Sequence, residues 1–176
     1  AALPVPLRVE YHARAAEVLA DRARAEGKAP EGVEPARCVP IVEHFVRGER
    51  PERSLPWLGR ALTLLEREYQ SDRAIALARA VLDAPGVLDG TARVDLLLRT
   101  VTHSLHVGRW DDCLRRSEEA LALARELHDP VREGAALMRI GVTNTDRGDH
   151  LGGGAQVERA HALAVARREG MAGIQD

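Results

Sequence analysis

Aromatic residues are scarce in this 176-residue chain, at 3% in all, with one Phe, two Trp and two Tyr. Its core must therefore be built from Leu, Ala and Val, which suits close packing of helices, and Ala and Leu are strong helix formers. Runs of alternating β-branched residues are missing too, so the sequence predicts essentially no strand. Cysteine is limited to Cys38 and Cys113. Both fall at apolar helical positions without motif spacing, and they read as buried free thiols of a reducing compartment. Of 25 basic residues only Lys28 is a lysine. A GC-rich coding genome accounts for such a bias; the alternative is arginine chosen for bidentate anion contacts. No signal peptide opens the chain and no apolar run is long enough to span a membrane, so a cytoplasmic location is expected. A net charge of −2 and a pI near 6.4 argue against a nucleic-acid footprint, which needs a clustered basic face. The chain opens on Ala-Ala and closes soon after a helix, and we expect it to be a piece of something longer.

What is present is a period. Three segments share one pattern: an apolar helix, a short polar turn, then an alanine-rich helix. The turns are Tyr69-Gln70-Ser71-Asp72, Gly108-Arg109-Trp110-Asp111 and Gly148-Asp149-His150-Leu151, and their starts lie 39 and 40 residues apart. A fixed period of this length indicates stacked helix pairs.

Helical spacing of apolar residues gives eight segments. The first runs from Leu7 to about Glu26, ended by Gly27. After a Pro/Gly-punctuated loop from Lys28 to Pro35, the second covers Ala36 to Arg47, with Pro40 near its first turn and Gly48 as its stop. The third begins near Pro51 and reaches about Tyr69; Pro56 implies a later start or an irregular first turn. The others are Asp72–Asp83, Ala92–Val107, Trp110–His128, Val131–Arg147 and Gly153–Glu169. The last has a weak start, because Gly152, Gly153 and Gly154 disfavour helix; fraying is expected, and a hinge or close backbone contact is the alternative.

These segments resemble tetratricopeptide repeats of the longer, forty-residue kind, over about residues 52–170. The resemblance rests on the turns Gly108-Arg109-Trp110 and Gly148-Asp149-His150. It rests also on the small residues Ala74, Cys113 and Gly153, on Val81, Ala120 and Ala160, and on the ending Ala120-Leu121-Ala122-Leu123-Ala124-Arg125-Glu126-Leu127-His128-Asp129. Ser104 and Asn144 stand where that family has a large aromatic, and the first repeat lacks a turn glycine. The resemblance implies an all-α fold: a right-handed solenoid of antiparallel helix pairs, about eight helices in all. Residues 1–50 would form an adaptor pair, and 51–176 three repeats at about 51–89, 90–129 and 130–170. The front segment, with His12-Ala13-Arg14-Ala15-Ala16-Glu17-Val18-Leu19, Ile41-Val42-Glu43-His44-Phe45 and Gly48-Glu49-Arg50-Pro51-Glu52-Arg53-Ser54-Leu55, is similar to the junction where bacterial STAND-type signalling ATPases enter their helical repeats. That likeness implies a regulatory sensor arm, with the ATPase itself outside these residues, since they hold no phosphate-binding loop. Many such chains also carry a serine/threonine kinase or DNA-binding domain.

A solenoid of this kind has a groove lined by the first helix of each repeat. Aligning the turns gives one column of Arg60, Arg99 and Arg139 and a second of Gly59, Leu98 and Met138. Further along lie Thr63, Thr102 and Val142, then Arg67, His106 and Asp146. An arginine at the same place in each repeat would make a positive ladder, and guanidinium forks bind carboxylate or phosphate well. The competing reading is solvated arginine, or arginine paired with Glu66, Asp95 or Glu133. His103 and His106 share a helix face with Arg99, but no third metal ligand has a recognisable spacing. His12 and His44 are expected to pack where the first two helices meet, Trp110 to be core, and Trp57 to be packed rather than exposed to the groove. Adjacent carboxylates such as Asp111-Asp112 and Glu118-Glu119 point about 100° apart on a helix and do not converge.

No catalytic constellation is visible, and no cofactor or metal is expected. The sequence reading is a non-enzymatic protein-interaction or sensor module. It would bind a protein or peptide with an acidic segment along the groove formed by Arg60, Thr63, Arg67, Leu98, Arg99, Thr102, His106, Met138 and Arg139. One alternative is a small-molecule effector sensor, walled by Met138, Leu98 and Thr102. Another is a spacer that self-associates through exposed solenoid ends.

Overall fold

The computed structural model describes residues 4–25 and 29–172, the side chains of 31 and 167–172 excepted. It is all-helical, and among the described residues there is no strand. Among the described residues eight α-helices follow one another: α1 Val5–Ala25, α2 Pro35–Arg47, α3 Pro51–Arg67, α4 Ser71–Leu82, α5 Gly90–His106, α6 Trp110–Glu126, α7 Pro130–Asp146 and α8 His150–Ala172. A short 3-10 turn, Pro30–Gly32, precedes α2. The stop expected at Gly27 and the start of the loop at Lys28 lie outside the described residues.

The chain forms two compact units, Ala1–Val87 and Leu88–Asp176. In the first, α2 packs on α1, α3 and α4, and α3 on α4. In the second, α6 packs on both α5 and α7, α5 and α7 touch each other, and α8 packs on α7. In the second unit the neighbouring pairs α5–α6 and α7–α8 therefore stack, as the forty-residue period implies.

Five connections are tight turns of one design. Glu49, Tyr69, Gly108, His128 and Gly148 all have positive φ, at 56°, 55°, 69°, 52° and 95°. After each, the next N–H reaches back five residues, as in Gln70 to the Leu65 carbonyl at 2.8 Å, Arg109 to Ser104 at 2.9 Å and Asp149 to Asn144 at 2.9 Å. This is the Schellman closure, which satisfies carbonyls left open at a helix end. Tyr69 thus takes the place that Gly108 and Gly148 hold in the other repeats, at the steric cost of a Cβ in left-handed backbone. Its ring is 90% exposed and packs on nothing that would repay that cost.

Pro40 and Pro56 lie inside α2 and α3, so α3 runs unbroken from Pro51 despite Pro56. Each ring deletes one bond in the second turn, to the carbonyls of Ala36 and Glu52. Both of those residues are exposed, so water can take the carbonyls.

The start of α8 also differs from a frayed end. It is helical from His150, because Asp149 accepts from the Gly152 N–H at 2.9 Å and Gly153 meets α7 at backbone distance. A Cβ at Gly153 would lie 2.7 Å from the Gly141 carbonyl, and one at Gly141 would lie 2.8 Å from the Gly153 carbonyl. The two helices cross where neither has a side chain. Gly154 faces open space.

The core is aliphatic, as the composition implies. Ala74, Cys113, Val81 and Ala120 are all fully buried, Ala160 nearly so, and Gly153 is buried as well. In the first unit Trp57 and Phe45 are the largest buried rings. Trp110 is only half-buried.

Candidate interaction face

On α5, the residues Val94, Leu97, Thr100, Val101 and Ser104 are buried, while Leu98, Arg99 and Thr102 are half-buried and Asp95 and His106 exposed. The 3.6-residue repeat of the helix separates these two sets. The inward set packs toward neighbouring helices; the outward set, Asp95 apart, is the one the aligned turns single out. On α7 the outward positions are Val131 and Met138, 48% and 39% exposed, with Arg139 and Val142 half-buried. Because α5 and α7 touch directly, Leu98, Arg99 and Thr102 share one unit with Met138 and Arg139. Arg60, Thr63 and Arg67 belong to α3 in the other unit, where Thr63 and Arg67 are exposed and Arg60 is half-buried.

The arginine that visibly joins α5 to α7 is outside the aligned column. Arg132 on α7 grips Asp95 on α5 through both arms of its fork, Nε to Oδ1 at 2.8 Å and Nη2 to Oδ2 at 2.7 Å. Its third nitrogen, Nη1, donates to Asp129 at 2.6 Å. Asp129 caps α7, its Oδ1 accepting from the Val131 and Arg132 N–H groups at 3.1 Å each. The Arg132 backbone N–H, then its side chain, hold the Asp129 carboxyl below its ordinary range. The pair with Asp95, then that with Asp129, push the Arg132 guanidinium further up. Arg125 on α6 takes Glu133 on α7 at 2.8 Å, and Arg93 on α5 takes Glu119 on α6. So Asp95 and Glu133, two carboxylates weighed as partners of the column, are each paired with arginines outside it. Arg60 instead lies beside the Cys38 thiol on α2. Burial raises that thiol, and the charge and hydrogen bond of Arg60 partly oppose the rise.

Met138 faces α8, and neither Leu98 nor Thr102 is among the residues that wall the space beside it there. It lines an apolar cavity of about 740 Å³ between α7 and α8, with Val131, Gly134, Val157, Ala160 and Leu163 among the other walls.

His103 is buried and His106 exposed, so the two do not converge on one site. Among the described residues, no three His, Cys, Asp or Glu side chains gather as a metal ion would need. No described helix is long and apolar enough to cross a membrane.

Sequence reading missed a buried charge. Arg116 on α6 is 1% exposed, and its Nε sits 3.1–3.2 Å from both oxygens of Asp112, which also accepts from the Ser104 hydroxyl at 3.1 Å. Burial works to raise the Asp112 pKa, but Arg116, then Ser104 and Arg115, outweigh it and the net shift is downward. Ser104 thus forms a polar bridge from α5 to α6 through Asp112. The signal was in the spacing: Cys113, Arg116, Ser117, Ala120 and Ala124 form the buried stripe of α6. Burial, and secondarily Asp112, lift the Cys113 thiol to about 11, which leaves it protonated and unreactive at neutral pH.

No known protein family, curated protein or solved structure matches the chain.

Proposed function

We propose that this chain is a tetratricopeptide-like interaction and sensor module of a larger bacterial signalling protein, working in the cytoplasm and without catalysis of its own. Its partner is a protein or peptide whose acidic segment lies along the outward face of α5 and α7. The observation that carries this reading is the direct packing of α5 on α7, with Leu98, Arg99 and Thr102 on one helix and Met138 and Arg139 on the other left partly open. The apolar side chains supply contact area and the guanidinium groups supply attraction to carboxylates. Arg60, Thr63 and Arg67 carry the same chemistry on α3, within the other unit. Acidic peptides offered to the purified chain should bind, with affinity falling as salt rises from 50 to 500 mM on the order of the screening expected for exposed charges. Binding insensitive to salt overturns the electrostatic part.

A second reading is favoured by the α7–α8 cavity. Its volume, about 740 Å³, falls in the range of small-molecule sites, roughly 300–1,000 Å³. An apolar effector seated against Met138 and Val157 would raise the thermal midpoint of the chain, and Met138→Ala or Val157→Phe would abolish that rise. A peptide held by the α5–α7 face would leave it unchanged in Val157→Phe.

A further inference from the structure

The contact between α1 and α2 turns on two histidines. Nδ1 of His12 lies 2.9 Å from Nδ1 of His44, with the ring centroids 4.9 Å apart. Tyr11 stands edge-on to both rings, at 5.4 and 6.3 Å. A hydrogen bond between two imidazole nitrogens needs an N–H on one and a bare lone pair on the other. At least one ring is therefore neutral in the docked state. With both protonated, two N–H groups and two positive charges would face each other at that distance.

The rings have little room to part without moving the helix. Just beyond α2, a Cβ at Gly48 would fall 2.6 Å from the Ala13 backbone nitrogen, so α1 and the end of α2 already meet backbone to backbone. The side chains that α1 fully buries are small. Its buried residues are Ala13, Ala16, Ala20 and Ala23, while Val5, Leu7, Tyr11 and Val18 are 50–60% exposed. Four alanine methyls bury little apolar area, and hydrophobic stabilisation scales with that area. Side-chain contacts also reach α3: Glu17 pairs with Arg53, and the Arg24 guanidinium stacks 5.6 Å from the centre of the Trp57 ring.

The charges around the pair do not favour a second proton. Arg8, Arg47 and Glu49 border the opening beside His12, and Tyr11 and Arg14 border the one beside His44. Two arginines thus confront one carboxylate next to His12. Burial, then His44, Arg47 and Arg8, hold the His12 imidazolium below its ordinary 6.5.

We propose that His12 and His44 form an acid-opened latch: protonation of both rings releases α1 from α2, while α2, α3 and α4 stay packed. The sign follows from proton count. With α1 released, the two rings together can bind at least one more proton than the docked pair, so the docked state is fully favoured above the unperturbed histidine value and loses ground as pH falls below it.

Trp57 reports the event, because it is fully buried and contacts α1 through Arg24. In the full chain carrying Trp110→Phe, Trp57 emission and acrylamide quenching are followed from pH 8 to pH 5 beside far-UV circular dichroism. The expected result is a red shift and increased quenching as pH falls, with helicity and the α2–α4 amides retained. His12→Gln and His44→Gln should each remove the transition. A Trp57 signal that is flat in pH overturns the latch, as does a transition that survives in both variants or coincides with loss of all helicity. Should a variant be unfolded at pH 8, amide exchange in the histidine-bearing chain decides alone, corrected for intrinsic pH dependence. Protection lost from α1 only supports the latch, and uniform loss overturns it.

Discussion

Asp95 on α5 and Arg132 on α7 face each other as a bidentate pair, both bonds under 2.9 Å, and Arg132 also reaches Asp129 at the start of its own helix. One arginine thus sets the register of two neighbouring helices and reinforces the cap of the second. The pair is partly exposed, so its Coulomb energy is modest, about 0–1 kcal/mol. The cap contributes more. Asp129→Ala is expected to destabilise the chain by about 1 kcal/mol, read by urea denaturation. Because the Asp129 pKa is depressed in the folded state, its contribution is present above the ordinary carboxylate range and lost as pH falls through its lowered value. Wild type and Asp129→Ala should therefore converge in stability at acid pH. A constant difference from pH 7 to pH 2 would contradict the assignment.

Tyr69 offers a stabilising change. It holds left-handed backbone that its counterparts in the later repeats assign to glycine, and its exposed ring packs on nothing. Tyr69→Gly should raise stability by about 0.5–1 kcal/mol, after allowing for the added entropy of the unfolded chain. Gly108→Ala should lower it by about 1 kcal/mol. The two midpoints in thermal unfolding must move in opposite directions.

The triple glycine separates packing from propensity. Gly153→Ala drives a methyl into Gly141 and Thr145, and is expected to cost about 1–3 kcal/mol as overpacking. Gly154→Ala, with open space around it, should gain up to ~1 kcal/mol from helix propensity. Equal effects at the two sites would show that α7 and α8 do not cross there.

Arg116 and Asp112 test the buried pair. Asp112→Ala strands a buried guanidinium and should cost about 3–5 kcal/mol, whereas Arg116→Met with Asp112→Leu replaces the pair by apolar packing and should be near neutral. The Arg116 side chain is 1% exposed, so little solvent screening intervenes. Chemical denaturation of both variants decides it.

How much of this was legible beforehand depends on what each residue answers to. Local rules placed the helices: glycine and proline punctuation and the apolar spacing put α3 to α7 within about three residues of their ends. The equivalence of Tyr69, Gly108 and Gly148 followed from the period alone, and their shared left-handed backbone is its physical basis. Arg116 escaped because charge is read as surface until a facing partner is known, and its partner Asp112 is only one turn away. Arg132 escaped because the aligned columns register positions along a helix, whereas its pairing depends on the lateral offset between α5 and α7. Gly153 showed only a propensity defect in sequence; the compensating contact is with Gly141, on another helix.

The interaction face is tested most directly by capture. The chain and its Arg99→Glu, Arg139→Glu double variant are immobilised side by side, after circular dichroism shows both folded, and exposed to a library of acidic and neutral peptides at low and high salt. Acidic peptides retained by the wild type, released by salt and lost from the double variant are the expected result. Equal retention by both chains, or by neutral and acidic peptides alike, would contradict an arginine-driven groove and move the weight to the α7–α8 cavity.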